Sequence, residues 1–278
     1  HEVSESGAVS YTYIKEFAKK VAEEPWRLIM RQHNGFVRQL IVMLGVVLAM
    51  TAPATNAYAV TLQEEIDLGK RIDAEILRQE PQISDQAALN EINDIGQQIV
   101  KNGGLKRPEI EYHFRILRDN DLNAFSTPGG YVYFTDHMWN ILRHDERAGV
   151  LAHEIVHADR RHALDALLKA QRRSLILGGL LAIIGANQSI GNLVDIANQL
   201  YTLKYSRGDE RQADEVGVLY LKNAGLNPAG LLMSMRKIRR FEDERGGKQP
   251  TILATHPPTA DRERYLEEDL RKTGLPIP

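Results

Sequence analysis

Apolar and polar residues follow a helical period over most of this chain and a period of two over one short stretch. Thr61, with Glu64 three residues on, forms a capping-box pattern that opens an amphipathic helix to about Glu80. A second helix is predicted from Asp85 to Val100, closed by Gly103-Gly104. Ile110, Tyr112, Phe114 and Ile116 then alternate with Glu111, His113 and Arg115, the pattern of a half-buried strand. Asn123 to Gly130 reads as a loop and Tyr131 to Phe134 as another strand.

Downstream the period is helical again. Asp145 is placed to cap a helix running to about Leu168, and Leu193, Ile196, Leu200 and Leu203 step along one face of another. A helix from about Asp209 to Asn223 stops at Gly225. Asn227-Pro228 opens one to about Glu244, and Thr259 can cap a last helix ending at Gly274. No repeat or low-complexity tract interrupts the order, which predicts an α+β fold, mainly helical with a small sheet.

Two apolar runs depart from amphipathic patterning. Leu40 to Met50 follows Arg31 and Arg38 and precedes Ala57-Tyr58-Ala59, which matches a secretory signal peptide with cleavage near Ala59–Val60. The expected organisation is therefore an upstream segment and signal over 1–59 and one domain over 60–278, exported to the bacterial periplasm. An uncleaved inner-membrane tether and a buried core helix are the alternatives. Residues 1–30 lie upstream of the signal and read as an over-extended frame rather than a domain. The second run, Leu175 to Ala186, is too short for a membrane span of roughly 20 residues. It reads as a core helix or a hydrophobic wall beside the site, with peripheral membrane contact as the alternative.

Composition narrows the chemistry. The 278 residues are 43% hydrophobic and 26% charged, enough for one good core. A net charge of −2, with basic residues spread among acidic ones, predicts no nucleic-acid partner. The absence of cysteine excludes disulfides, thiolate metal sites and a lipid-bearing cysteine, so any metal must be held by His, Asp or Glu.

Such residues occur at His153-Glu154-Ile155-Val156-His157. Residues four apart share a helix face, so the two imidazoles can hold one zinc ion, with Glu154 beside them as a candidate general base. A third ligand is needed. His162 lies nine residues beyond His153, which at about 100° per residue puts it on the far side of a continuous helix, as a structural or surface residue. Glu210 is the better candidate, with Asp214 one turn later to accept the N–H of a ligand histidine. A solvated acidic face is the competing reading of that pair.

Gly129 and Gly130, directly before Tyr131, Val132 and Tyr133, suit a place where another backbone comes close. Two readings follow: an edge strand that pairs with an extended peptide substrate, or a plain hairpin turn.

The pentad, Ser206-Arg207-x-x-Glu210-x-x-Ala213-Asp214, Asn123-Ala124-Phe125 with Pro128-Gly129-Gly130, and Thr255-His256-Pro257 together resemble the M48 family of metallopeptidases, which includes CAAX-prenyl and Oma1-type proteases and bacterial envelope quality-control proteases. The resemblance covers roughly Thr61 to Leu270. It implies a gluzincin-like fold, His153, His157 and Glu210 as zinc ligands, Glu154 as catalytic base and Asp214 as support behind a ligand. It also implies that Pro128 to Phe134 is the substrate-binding edge. Unlike the membrane-embedded members, the chain lacks several long apolar spans, and no tetratricopeptide module is expected after its last helix.

The expected activity is a zinc-dependent endopeptidase acting on protein or peptide substrates, in particular misfolded or misassembled envelope proteins, with one Zn²⁺ per chain. Arg207, Tyr205 and His256 are candidate donors to the developing oxyanion. His256, in a loop stiffened by Pro257 and Pro258, has a second reading as a latch that fills the open metal position. A chaperone-like binding protein with little proteolysis is the alternative function, against which the intact Glu154 argues.

Overall fold

The computed structural model describes residues 60–173, 190–244, 251–256 and 260–272. The signal-peptide reading of 1–59, the apolar run 175–186, and Pro257, Pro258, Thr259 and Gly274 lie outside the described residues.

The first helix, α1 (Leu62–Gln79), starts where expected: the Thr61 hydroxyl accepts from the Glu64 amide, and the Glu64 carboxylate accepts from the Thr61 amide. Next is α2 (Gln86–Asn102), capped by the Asp85 carboxylate. Three strands follow, β1 (His113–Leu117), β2 (Ala124–Thr127) and β3 (Tyr131–Thr135). At the end of β3 the Thr135 hydroxyl caps a short α3 (Asp136–Ile141). The remaining described helices are α4 (His144–Asp159), α5 (His162–Arg173), α6 (Ile190–Tyr201), α7 (Arg207–Asn223), α8 (Gly230–Glu244), α9 (Thr251–Thr255) and α10 (Ala260–Lys272). The α+β expectation holds.

The sheet order is β1-β3-β2, with β1 parallel and β2 antiparallel to β3. Residues predicted as a loop thus form β2, because Ala124 to Thr127 find partners in Phe134 to Tyr131 across the Pro128–Gly130 turn. The same pairing corrects the expectation of a substrate-binding edge at Gly129, Gly130, Tyr131, Val132 and Tyr133. As the central strand, β3 is hydrogen-bonded on both sides and its backbone is already used. Another backbone does come close at those glycines, but it is the protein's own. A Cβ on Gly69 of α1 would sit 2.3 Å from the Pro128 carbonyl oxygen, and one on Gly130, whose φ is +90°, would sit 2.6 Å from that of Glu111.

Alternation along the strands divides the sheet between two cores. Phe114, Ile116, Ala124, Val132 and Phe134 pack with Ile92 and Ile99 of α2 and Leu151 and Ile155 of α4. Phe125, Tyr131 and Tyr133 face Leu68 and Ile72 of α1 and Leu200 of α6. Each fully buried side chain of this size contributes about 1.5–3 kcal/mol.

The pentad helix α4 lies between the sheet, α2, α7 and α8, and from Ala148 to Asp159 every residue is buried. Its contact with α8 brings backbones together: a Cβ on Gly149 would lie 2.3 Å from the Gly230 carbonyl carbon, and one on Gly230 2.2 Å from the Asp145 carbonyl oxygen. Two sequence expectations fail along this helix. Asp145 sits in the first turn rather than at the cap; the helix begins at His144, where the Glu146 carboxylate accepts from the Arg143 amide at 2.6 Å. Nor does it run to Leu168. It ends at Asp159, and Arg161 takes a left-handed φ of 62° before α5 begins. The Arg161 guanidinium, 3.0 Å from Glu65 and donating to the Val60 carbonyl, ties that bend down.

Candidate metal centre and active site

His153 and His157, one turn apart on α4, present their Nε2 atoms 3.1 Å from each other. Their neighbour α7 packs closely enough that a Cβ on Gly217 would be 3.4 Å from the His153 amide nitrogen. That helix starts at a second capping box, in which the Ser206 hydroxyl accepts from the Asp209 amide and the Asp209 carboxylate accepts from the Ser206 amide. Glu210, on its first turn, then points inward, with Oε2 3.7 Å from His153 Nε2 and Oε1 3.6 Å from His157 Nε2.

A fourth group joins them. His256 extends the turn of α9, its amide donating to the Ile252 carbonyl, and its Nδ1 lies 2.8 Å from Glu210 Oε1 and 3.3 Å from His153 Nε2. One donor atom from each of His153, His157, Glu210 and His256 falls within 4.8 Å of all the others, and all four residues are buried. Three imidazoles and a carboxylate, with no thiolate, fit a borderline divalent ion. The sequence-predicted ligands are thus brought together.

Glu154 lies alongside, completely buried, and no well-formed hydrogen bond reaches either carboxylate oxygen. Its closest charged-group approach is His256 Nε2, 3.5 Å from Oε1. Burial pushes its carboxyl up; His256 and His153 pull the other way, and the Ser126 hydroxyl of β2 contributes least. Burial likewise drives His157 well below the usual imidazole range, keeping it neutral as a ligand must be. For Glu210, burial is outweighed by His256, His153 and Arg262, which hold its carboxyl below the usual range.

Asp214, one turn beyond Glu210, lies behind His153, with Oδ1 3.0 Å from Nδ1. Sequence reasoning missed its second partner. Arg262 of α10 donates to both Asp214 oxygens at 2.7 and 2.8 Å and to the His256 carbonyl at 3.1 Å, and its guanidinium forms an ion pair with Glu210, Nη1 lying 2.7 Å from Oε2. Tyr265, also on α10, donates to Asp214 as well. Against the cost of burial, the His153 and Arg262 hydrogen bonds keep Asp214 below the usual carboxylate range. No spacing rule links Arg262 to a helix about fifty residues earlier; the only trace was its nearness in sequence to His256.

Arg207 is exposed on the first turn of α7 and, with Tyr205, Glu210, Arg211 and Arg262, lines a cleft of about 770 Å³. The guanidinium on Asp214 is that of Arg262. Tyr205 stacks on His157 with ring centroids 3.9 Å apart. The far-side placement of His162 is also corrected: the bend at Arg161 restarts the helix in a new direction, and His162 Nδ1 lies 2.9 Å from His157 Nδ1.

The family model described as peptidase family M48 matches residues 86–269. The chain belongs to peptidase family M48. The matched stretch includes the whole pentad, Glu210, Asp214, His256 and Arg262. Among relatives of this M48 chain, the beta-barrel assembly-enhancing protease of Yersinia pestis is 25% identical over 245 residues, 77% of this chain and 49% of that protein. The metalloprotease LoiP of Escherichia coli (strain K12) is 23% identical over 169 residues, 59% of this chain and 64% of that protein. The mitochondrial metalloendopeptidase OMA1 of Schizosaccharomyces pombe is 26% identical over 161 residues, 58% of this chain and 47% of that protein. The chain spans about half the length of several of the curated relatives it matches.

Proposed function

We propose that this M48 chain is a zinc-dependent endopeptidase. The observation that carries this reading is the buried Glu154 carboxylate, which accepts no well-formed hydrogen bond, beside the His153–His157–Glu210 donor set. Zinc bound there would polarise the scissile carbonyl and make a nearby water acidic enough to react near neutral pH. Glu154, with a raised pKa, is suited to accept that water's proton and return it to the departing amine. Asp214 holds His153 with Nε2 free for the metal. The Tyr205 hydroxyl, buried and held protonated by its surroundings, can donate to a developing oxyanion.

With β3 central, the strand with an edge beside the site is β2, whose Ser126 is felt by Glu154. An extended peptide pairing with Ala124–Thr127 would lie across the catalytic base. We extend the reading to export and to misfolded or misassembled envelope proteins as substrates, on the strength of the Leu40–Met50 and Ala57-Tyr58-Ala59 pattern and of the name of the Yersinia relative.

His256 serves as a latch in this proposal. Its ring stands between the donor set and Glu154, with Nδ1 toward Glu210 and Nε2 toward Glu154, where a water or substrate would have to enter. Metal analysis of the purified protein, with casein cleavage measured with and without a chelator, tests the central reading. One zinc per chain with chelator-sensitive cleavage is expected, and chelator-independent cleavage or none would reject it. His256→Ala should raise the cleavage rate on an unfolded substrate; a fall would instead make His256 a donor.

A further inference from the structure

We propose that His162 and Gln212 form a relay that sets the tautomer of His157 and so tunes how tightly the site holds its metal. His157 Nε2 is 3.1 Å from His153 Nε2 and 3.6 Å from Glu210 Oε1, so a ligand lone pair is needed there and the ring proton must sit on Nδ1. That Nδ1 faces His162 Nδ1 at 2.9 Å, which must then be the bare, accepting nitrogen. The His162 proton is left on Nε2, and 2.9 Å beyond lies the Gln212 amide oxygen, ready to accept it.

The relay has one direction that leaves His157 able to bind metal. If Gln212 presented its NH₂ instead, His162 would accept at Nε2 and donate from Nδ1. His157 would then carry its proton on the metal-facing nitrogen. Asp209, whose Oδ1 is 3.9 Å from His162 Nε2, favours the productive direction because a carboxylate can only accept. Helix α7 therefore serves the metal site three times at two-residue intervals: Glu210 as a donor atom, Gln212 through His162, and Asp214 directly behind His153. Such partners behind a ligand typically change metal affinity by about 10–100-fold.

His162 and Gln212 are positioning residues, and the inference rests on the metal-binding part of the proposed function. The test uses the full chain labelled with ¹⁵N and loaded with Zn²⁺. Imidazole ¹⁵N shifts should show His162 as the Nε2–H tautomer, and the Nδ1–H tautomer would overturn the relay. Competition against a chromophoric chelator should show zinc affinity lowered about 10-fold or more in His162→Ala and several-fold in Gln212→Leu, with partial rescue in His162→Gln, whose amide oxygen can accept from His157. Gln212 is exposed, so Gln212→Leu should melt as the unaltered protein does when metal-free. Equal zinc affinity in His162→Ala, Gln212→Leu and the unaltered protein also overturns the relay while leaving the peptidase reading standing. If the unaltered protein binds no zinc, both fail together.

Discussion

The half of the site around His153 and the half around His157 are built from opposite materials. Behind His153 stands a fully buried carboxylate, Asp214, locked by two hydrogen bonds from Arg262 and one from Tyr265. Behind His157 stand a neutral imidazole, an exposed amide and a stacked tyrosine ring. The difference follows from burial. A charge sealed between α7 and α10 must be paired to be tolerated, and once paired it fixes both helices as well as the ligand. Behind His157 the partners run out through His162 to the exposed Gln212, and dipoles suffice. One half therefore couples metal binding to the stability of the fold, while the other couples it to the direction of a few hydrogen bonds.

The largest expected effect lies between the halves. Glu154→Gln should lower peptide cleavage by at least about 100-fold while one zinc per chain remains by metal analysis. His157→Ala should lose metal and activity together, and its melting temperature should no longer respond to added zinc. Retained cleavage in either variant would remove the mechanism.

Asp214→Ala leaves the Arg262 charge buried without its main partner and should cost about 3–5 kcal/mol in urea unfolding of the metal-free protein. Gln212→Leu, at an exposed position, should stay within about 0.5 kcal/mol in the same experiment. Similar losses in the two would show that the halves are not energetically distinct.

Gly149→Ala probes what both halves share. A Cβ there would meet the Gly230 backbone, so α4 and α8 must separate, at a cost of about 1–3 kcal/mol in thermal or urea denaturation. Smallest is Ser206→Ala, which removes the cap of α7 and should cost about 1 kcal/mol, with faster amide exchange confined to the first turn carrying Glu210.

Much of this was legible in the chain because it is local. The capping box at Thr61 depends on residues three apart. His153 and His157 meet through the helical repeat, and Glu210 with Asp214 through the same repeat on a second helix. Alternation from Ile110 to Ile116 marked buried positions correctly even though the regular strand begins only at His113. The misreadings arose where geometry depends on a partner distant in sequence. The stretch Ala124–Thr127 has the look of a loop until β3 pairs with it, and β3 has the look of an edge until β1 flanks it.

What the sequence alone determined about this protein is a candidate donor set and a candidate base: two histidines one helical turn apart, a glutamate between them and a carboxylate pair at the same spacing, dictated by 3.6 residues per turn. What only the tertiary structure decided is everything that depends on a single dihedral or on contact across helices. A left-handed Arg161 turned His162 from a far-side residue into the group behind His157. The packing of α10 on α7 supplied Arg262, and the turn after α9 carried His256 into the cluster. The physical reason is the same in each case. Periodicity propagates only as far as an unbroken element, and beyond its end the direction of the chain is set by long-range packing.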